Sequence, residues 1–456
     1  MKKKENQKIL IAGLGRSGMA AARLLSAQDA AVYGYDAKAE DVFPPADKKE
    51  LETLGVSCFF GREPDFYDFD QVIISPGMAL TAPVPARAGR EGAEIIGELE
   101  LAYRSRPGTF LAITGTNGKT TTTALVGEMY RLAGLPHRIV GNIGMPVADQ
   151  ILTAEADAVM VTEVSSFQLE TIMDFRAHVA VLLNITPDHL DRHGSLEEYS
   201  RVKFRIFENQ SEKDYCIYNG DDPVCAGLPG LSPKGQAIPF SVHGPLIVGA
   251  YVENGRIFIA DGKSARIGLC SVRELKIPGA HNLENALAAA AAGFFAGVPT
   301  PAIREALCTF AGVEHRIESV ARINGVAYVN DSKGTNPDAA IKAIRAVAGP
   351  LLLIAGGYEK NADFDPFTAS FEGSVRHLLL LGETAHRIAQ SARKNGFPQD
   401  AIHFCRDMDE CVAVAARIAR PGDAVLLSPA CASWGMYNNY EERGRHFKEL
   451  VHALEK

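Results

Sequence analysis

Thr109-Phe110-Leu111-Ala112-Ile113-Thr114-Gly115-Thr116-Asn117-Gly118-Lys119-Thr120-Thr121 is the stretch on which the fold of this chain turns. The apolar residues 109–113 predict a strand, the glycines a turn, and residues 122–133 a helix. A strand that feeds a helix through a turn ending Gly-Lys-Thr is the context a phosphate-binding loop requires. There the amides around Gly118, the Lys119 ammonium and the helix N-terminus can surround the phosphates of ATP, and the Thr120 hydroxyl can ligate Mg2+. The loop is a short variant, because Ile113 stands where the first glycine of the common pattern belongs and Gly115 follows two residues later.

Further along, two apolar runs end in chemistry-bearing residues. Residues 157–162 deliver Glu163, and residues 179–185 deliver Thr186-Pro187-Asp188-His189. A hard cation takes oxygen ligands, so a strand-end carboxylate beside a phosphate loop is a candidate Mg2+ ligand. His189 reads either as a second metal or substrate ligand or as a structural residue of its turn.

Upstream, residues 8–12 predict a strand that turns through Gly13-x-Gly15-x-x-Gly18 into an Ala-rich helix. A second strand, 31–35, ends at Asp36, about 20 residues beyond the glycines, where a dinucleotide fold would hold a ribose. Residues 71–74 form a third strand entering Ser75-Pro76-Gly77. This glycine turn fits a nicotinamide dinucleotide or the diphosphate of a sugar nucleotide equally well by helix-terminus physics. Downstream of residue 313, apolar runs at 326–329, 351–355, 377–381 and 424–427 alternate with helical segments, which implies a mainly parallel sheet. Residues 227–275 read as short strands and turns.

With 456 residues, 46% of them apolar and 22% charged, the chain is globular in composition and predicts about three domains. A net charge of −8 argues against a surface spread for nucleic acid or anionic membrane. Small anions are the expected partners. The Ala-rich run 286–298 is shorter than the roughly 20 residues a membrane span needs, so it predicts a packed helix. Eight cysteines without a C-x-x-C pair fit reduced thiols in a cytoplasm.

Taken together, 114–121, Gly141-Asn142-Ile143-Gly144, Glu163-Val164-Ser165-Ser166-Phe167-Gln168-Leu169, Thr186 through His193, His281-Asn282, His315-Arg316, Asn330-Asp331-Ser332-Lys333 and Ser428 through Ser433 resemble, in order, the motif series of the Mur ligases. The match runs across almost the whole chain. The compact first block, the segment 331–337 and the tail 433–444 most resemble the member that adds D-glutamate.

That resemblance implies three α/β domains: a Rossmann-like UDP-substrate domain at 1–98, a central P-loop ATPase-like domain at 99–312, and a Rossmann-like amino-acid domain at 313–456. It implies a monomeric cytoplasmic enzyme of cell-wall (peptidoglycan) precursor synthesis. ATP and Mg2+ would serve it, with UDP-N-acetylmuramoyl-L-alanine and D-glutamate as substrates and no nucleic acid or membrane partner. Gly115, Thr116, Asn117, Gly118, Lys119, Thr120 and Thr121 would hold the phosphates, Asn282 and Asn285 the adenine side, Arg316 the phosphates and Asp331 the ribose. Thr120 and Glu163 would hold one Mg2+, and His189 with a carbamylated Lys203 a second. Lys119, Glu163, His189 and Lys203 form the implied catalytic set. Ser17, Asp36, Gly77, Asn142 and His189 would contact the UDP substrate, and Thr335, Lys360, Ser433 and Tyr440 the amino acid. Arg16, Ser17 and Lys38 differ from the side chains expected around the uridine, so its contacts are expected to be rearranged; Tyr440 in place of phenylalanine keeps an aromatic face. Three other readings stay open: a sibling ligase, such as one adding L-alanine or a folate polyglutamate synthase; a redox enzyme using the Gly13 turn; and a noncatalytic nucleotide-binding module.

Overall fold

The computed structural model describes residues 7–26, 30–106, 108–142, 144–263, 266–277, 279–358 and 362–455. Two compact units divide at residue 310. The larger carries two sheets and the smaller one.

The first sheet has five strands in the order Ser57–Phe60, Ala30–Asp36, Gln7–Ala12, Gln71–Ile74, Glu94–Gly97, all parallel. The strand order reverses between Gln7–Ala12 and Gln71–Ile74, so the turns leaving these two strands lie at the topological switch point, where open α/β sheets bind ligands. Those turns are the glycine turn and Ser75-Pro76-Gly77-Met78, tied together where the Ser75 amide donates to Ala12 O at 2.9 Å. Only glycine fits at position 18, since a Cβ there would collide with the Gly13 carbonyl.

The second sheet has nine strands. Thr109–Thr114, third from one edge, lies between Val159–Glu163 and Val179–Leu182, parallel to both. These strands run apolar through Phe110 to Ile113, Val159 to Val161 and Val179 to Leu182 because both faces are covered. The helices Lys119–Leu132, Ala280–Phe295 and Thr300–Thr309 share one core with that sheet. Residues 286–292, six alanines and Leu287, are completely buried; alanine side chains are small enough to let helices approach closely. The run is thus interior through Gly293, with Gly297 exposed beyond the helix end, and among the described residues no helix is long and apolar enough to cross a membrane. The less patterned stretch supplies Val248–Glu253, Arg256–Asp261 and Arg266–Ser271, antiparallel neighbours at one edge.

The smaller unit holds a six-stranded sheet ordered Glu318–Ile323, Val326–Asn330, Ala424–Leu427, Leu351–Ala355, Val375–Leu380, Ile402–Phe404. Its four central strands match the apolar runs; the two edge strands were not expected from the sequence. All eight cysteines are free thiols.

Two buried acids knit the larger unit. Glu100 accepts the amides of Met173, Asp174 and Phe175 at 2.9 to 3.0 Å and pairs with Arg104. Glu98, 2% exposed, accepts the Ala148 amide at 2.6 Å, and burial pushes its carboxyl up to about 7. Because that value lies above the ordinary carboxyl range, the folded state binds the proton more tightly than the unfolded one. The resulting stability is complete below about pH 4.5 and is lost as pH rises through 7, an effect on the order of 3 kcal/mol. Glu98→Gln keeps an acceptor and removes the titration, so its denaturant midpoint should fall less between pH 5 and 8 than that of the wild type. Parallel curves would contradict this assignment.

Candidate active site

The turn between Thr109–Thr114 and the helix Lys119–Leu132 requires left-handed backbone at Gly115 (φ +154°) and Gly118 (φ +84°). A Cβ at Gly115 would sit 2.9 Å from Leu183, and one at Gly118 would run into the Asn285 side chain. Neighbouring groups fix the rest of the turn. The Thr116 amide donates to Asn184 O at 2.9 Å, its hydroxyl to Thr186 O at 3.1 Å, and Asn117 exchanges hydrogen bonds with the Asn184 side chain. Lys119 is the first residue of the helix, and its ammonium donates to Gly115 O and Thr116 O, both at 2.8 Å. Thr121 is the third residue of that helix.

Below the turn, Thr120 and Glu163 are buried together. The Thr120 hydroxyl donates to Glu163 Oε2 at 2.8 Å, and Asn142 Nδ2 donates to Glu163 Oε1 at 2.6 Å. The Asn142 amide also reaches Glu163 O at 3.0 Å; Gly141 (φ +101°) permits this, because a Cβ there would strike the same carbonyl. A hydroxyl and a carboxylate in contact beside a phosphate loop are the oxygen donors a Mg2+ ion takes together with phosphates, so this pair fits the ion.

Lys203, on the helix Leu196–Phe204, is 1% exposed. Its amine donates to Gly115 O at 2.9 Å and lies over the Tyr199 ring. Burial first, then repulsion from Lys119, pulls its pKa well below the ordinary lysine range; Asp188 and Glu163 oppose this only in part. His189 has φ +51°, caps the one-turn helix Leu190–His193 and leans on the Phe167 ring. Its side chain is half exposed, and it is Asp188, from the same turn, whose charge acts on Lys203.

Asn282 and Asn285 stand three residues apart in the helix Ala280–Phe295, joined by a 3.2 Å hydrogen bond. The structure sets Asn285 against the phosphate loop at Gly118. In the first sheet, Asp36 accepts the Leu14 and Lys38 amides at 3.0 Å and so organises the glycine turn itself. Ser17 lies in the first turn of the helix Arg16–Ser26, Gly77 is open to solvent, and the Arg16 guanidinium donates to Gly144 O, away from the Asp36 side.

In the smaller unit, Asp331 is buried and accepts Ser428 Oγ at 2.7 Å and the Ile317 amide at 3.2 Å. Burial raises its pKa to about 6 against the pull of Ser428 and of the Arg316 charge. Thr335 and Ser433 sit in two loops linked by the Ala430 amide on Gly334 O at 2.9 Å. Tyr440 begins the helix Tyr440–Ala453, and its carbonyl accepts the Ser332 hydroxyl at 2.8 Å. The fully buried Arg443 fastens these loops, donating to Ser332 O at 2.9 Å and to Cys431 O at 3.2 Å. Lys360 lies outside the described residues. His189, His315, Ile317 and Ala430 all hold left-handed backbone, a strain that non-glycine residues tolerate mainly where surrounding structure fixes it. Sequence reasoning missed Asn184, Asp188 as the charge facing Lys203, and the clamping role of Arg443; Asp188 and Arg443 carried a signal, as charged residues inside matched motifs, and Asn184 carried none.

Three family models cover the chain in order: the Mur ligase MurD-like N-terminal domain at residues 7–97, the Mur ligase middle domain at 113–293, and the Mur ligase glutamate ligase domain at 315–431. The chain belongs to the Mur ligase family. It is 46% identical over 453 residues to a UDP-N-acetylmuramoylalanine–D-glutamate ligase of Thermoanaerobacter sp. (strain X514), and 42% identical over 454 residues to the enzyme of that name from Clostridioides difficile (strain 630). Each comparison spans 99% of both chains. Among solved structures it is similar in fold to the UDP-N-acetylmuramate-alanine ligase MurC of Thermotoga maritima (TM-score 0.57, 20% identity, 98% of this chain and 100% of that one). It is also similar to MurF of Acinetobacter baumannii (TM-score 0.55, 17% identity, 93% and 90%).

Gly118→Ala should lower affinity for a non-hydrolysable ATP analogue by at least about tenfold, since the substituted turn must displace Asn285 or relax its φ. Calorimetric titration checks this; wild-type affinity would show that the turn does not hold the nucleotide.

Proposed function

We propose that this chain joins D-glutamate to UDP-N-acetylmuramoyl-L-alanine with ATP, releasing ADP and phosphate. The observation that carries the reading is the buried Thr120–Glu163–Asn142 contact directly beneath the Lys119 loop. The names of relatives 42 to 46% identical over nearly their whole length support the choice of substrates. We assign residues 1–98 to the UDP substrate, 99–312 to ATP and 313–456 to the amino acid, in a monomer working in the cytoplasm.

A carboxylate resists attack because its charge repels an amine and it lacks a leaving group. Transfer of the γ-phosphoryl of ATP to a carboxylate oxygen forms one P–O bond and breaks the bond to ADP, leaving an acyl phosphate. The D-glutamate amine, once deprotonated, then attacks the acyl carbon, the C–N bond forms and phosphate departs. The protein's share is positioning and charge stabilisation. Lys119 would leave its loop carbonyls for the phosphates, and Asn142 would hold Glu163 in place beside the acceptor. Mg2+ held by Thr120 and Glu163 would neutralise phosphate charge. Asn285 would support the loop, Asp36 and Gly77 would present backbone to the nucleotide, and Thr335, Lys360, Ser433 and Tyr440 would receive the amino acid. Lys203 favours a carbamate: its buried amine is held toward the neutral, nucleophilic form, so it can add CO2 with loss of a proton and become an oxygen-donating anion.

ADP release should require both Mg-ATP and UDP-N-acetylmuramoyl-L-alanine, should proceed with D-glutamate and not with L-glutamate or L-alanine, and should fall at least about 1000-fold in Lys119→Ala. Preference for another amino acid would move the assignment to a sibling ligase, and a fully active Lys119→Ala would remove the loop from the mechanism.

A further inference from the structure

Arg192 follows His189 by three residues and points back toward the first sheet. Its Nη1 donates to Pro76 O at 3.0 Å and its Nη2 to Met78 O at 3.1 Å, so one guanidinium holds the carbonyls on either side of Gly77. The same Nη2 donates to Glu170 Oε2 at 2.7 Å, and the guanidinium plane lies 4.2 Å from the Phe167 ring centre. Both members of the ion pair are largely buried, with side chains 17% and 13% exposed. Glu170 is itself immobilised, because Arg205 donates to the carbonyls of Leu169 and Glu170 at 2.8 and 2.7 Å. At the other end the turn is closed by the Met78 amide on Ser75 O, and the outer side of Gly77 is open, with nothing within 4 Å of a Cβ built there. Arg192 thus joins the Ser75–Met78 turn to the motif Glu163 through Leu169 and to the turn that carries Asp188 and His189, where the Arg192 amide donates to His189 O at 3.1 Å.

We propose that Arg192 is a positioning residue that sets the separation between the turn gripping the nucleotide end of the acceptor and the turn facing its reacting carboxylate. This rests on the proposed function, in which one long substrate spans the two. Misplacement of a reacting group by about 1 Å can cost on the order of 100-fold in rate. Planar geometry matters as much as charge here: the stacked fork serves two carbonyls and a carboxylate at once, which a lysine ammonium on a flexible stem does not reproduce.

The test compares wild type, Arg192→Met, Arg192→Lys and Phe167→Leu in steady-state ADP release, with ATP affinity measured separately by titration. Arg192→Met should lower kcat by about 100-fold, change KM for UDP-N-acetylmuramoyl-L-alanine by less than about fivefold, and leave ATP affinity within about twofold. Arg192→Lys should recover no more than about a tenth of the lost rate. Phe167→Leu, which keeps every hydrogen bond and removes the stacking face, should show the same pattern at about a tenfold loss and decides the matter if the arginine variants do not fold. The proposal is overturned if kcat of Arg192→Met stays within threefold of wild type, if lysine restores the full rate, or if ATP affinity collapses in parallel. A wild type that does not turn over this acceptor overturns the functional reading itself, and the positioning role with it.

Discussion

A phosphate loop this short works only if its backbone is held open, and the larger unit is arranged around that requirement. Gly115 and Gly118 supply conformations that side chains resist, Asn184 satisfies the turn from one side, and Asn285 closes on it from the other. The turn is therefore held in shape before any nucleotide arrives, with the Thr116 and Asn117 amides committed to Asn184. Preorganisation of this kind spares a charged reaction the work of reorienting dipoles during phosphoryl transfer. The strand order contributes as well: Thr109–Thr114 lies beside Val159–Glu163 with Ile113 opposite Glu163, so Thr120, the second residue of the helix, meets the last residue of the neighbouring strand.

Charge is distributed around the turn with the same economy. Two lysines, 119 and 203, share the Gly115 carbonyl. A partly buried and a fully buried ammonium so placed repel each other, and that repulsion, added to burial, pulls the pKa of the deeper Lys203 well below the ordinary lysine range. Lys119 stands in the phosphate loop itself, and Lys203 reaches one of that loop's carbonyls from the helix Leu196–Phe204. The smaller unit solves a different problem with similar means. Asp331 and Arg443 are both buried, and each is satisfied chiefly by hydroxyls and backbone rather than by the other. Their hydrogen bonds hold three motif loops, around 331–335, 428–433 and 440, in one arrangement.

Much of this was legible in the sequence because its strongest signals are local. Strand, glycine turn and helix announce a phosphate loop within a dozen residues, and continuous apolar runs such as Leu351–Ala355 announce strands covered on both faces. Strands with weak or brief patterns escaped: Ser57–Phe60, Glu318–Ile323 and Ile402–Phe404 lie at sheet edges, and the last is only three residues long. Contacts between distant segments escaped for a different reason. Asn184 is 67 residues from the Asn117 it pins, and no residue type marks it. Left-handed backbone at His189, His315, Ile317 and Ala430 was equally invisible, since a histidine, isoleucine or alanine gives no sign of such a conformation. Asp36 was read as a ribose contact, yet its carboxylate also braces the glycine turn, a local role that residue spacing does not separate from ligand binding.

The arrangement fits an enzyme that makes a carboxylate electrophilic by phosphorylating it. Its central claim is the transfer of phosphoryl to the acceptor's carboxylate oxygen before the C–N bond forms. The most direct measurement is to supply UDP-N-acetylmuramoyl-L-alanine labelled with oxygen-18 in its carboxylate, together with Mg-ATP and D-glutamate, and to analyse the released phosphate by mass spectrometry. One labelled oxygen in each phosphate molecule, formed together with the amide product, is the result this account predicts; amide product accompanied by unlabelled phosphate would contradict it.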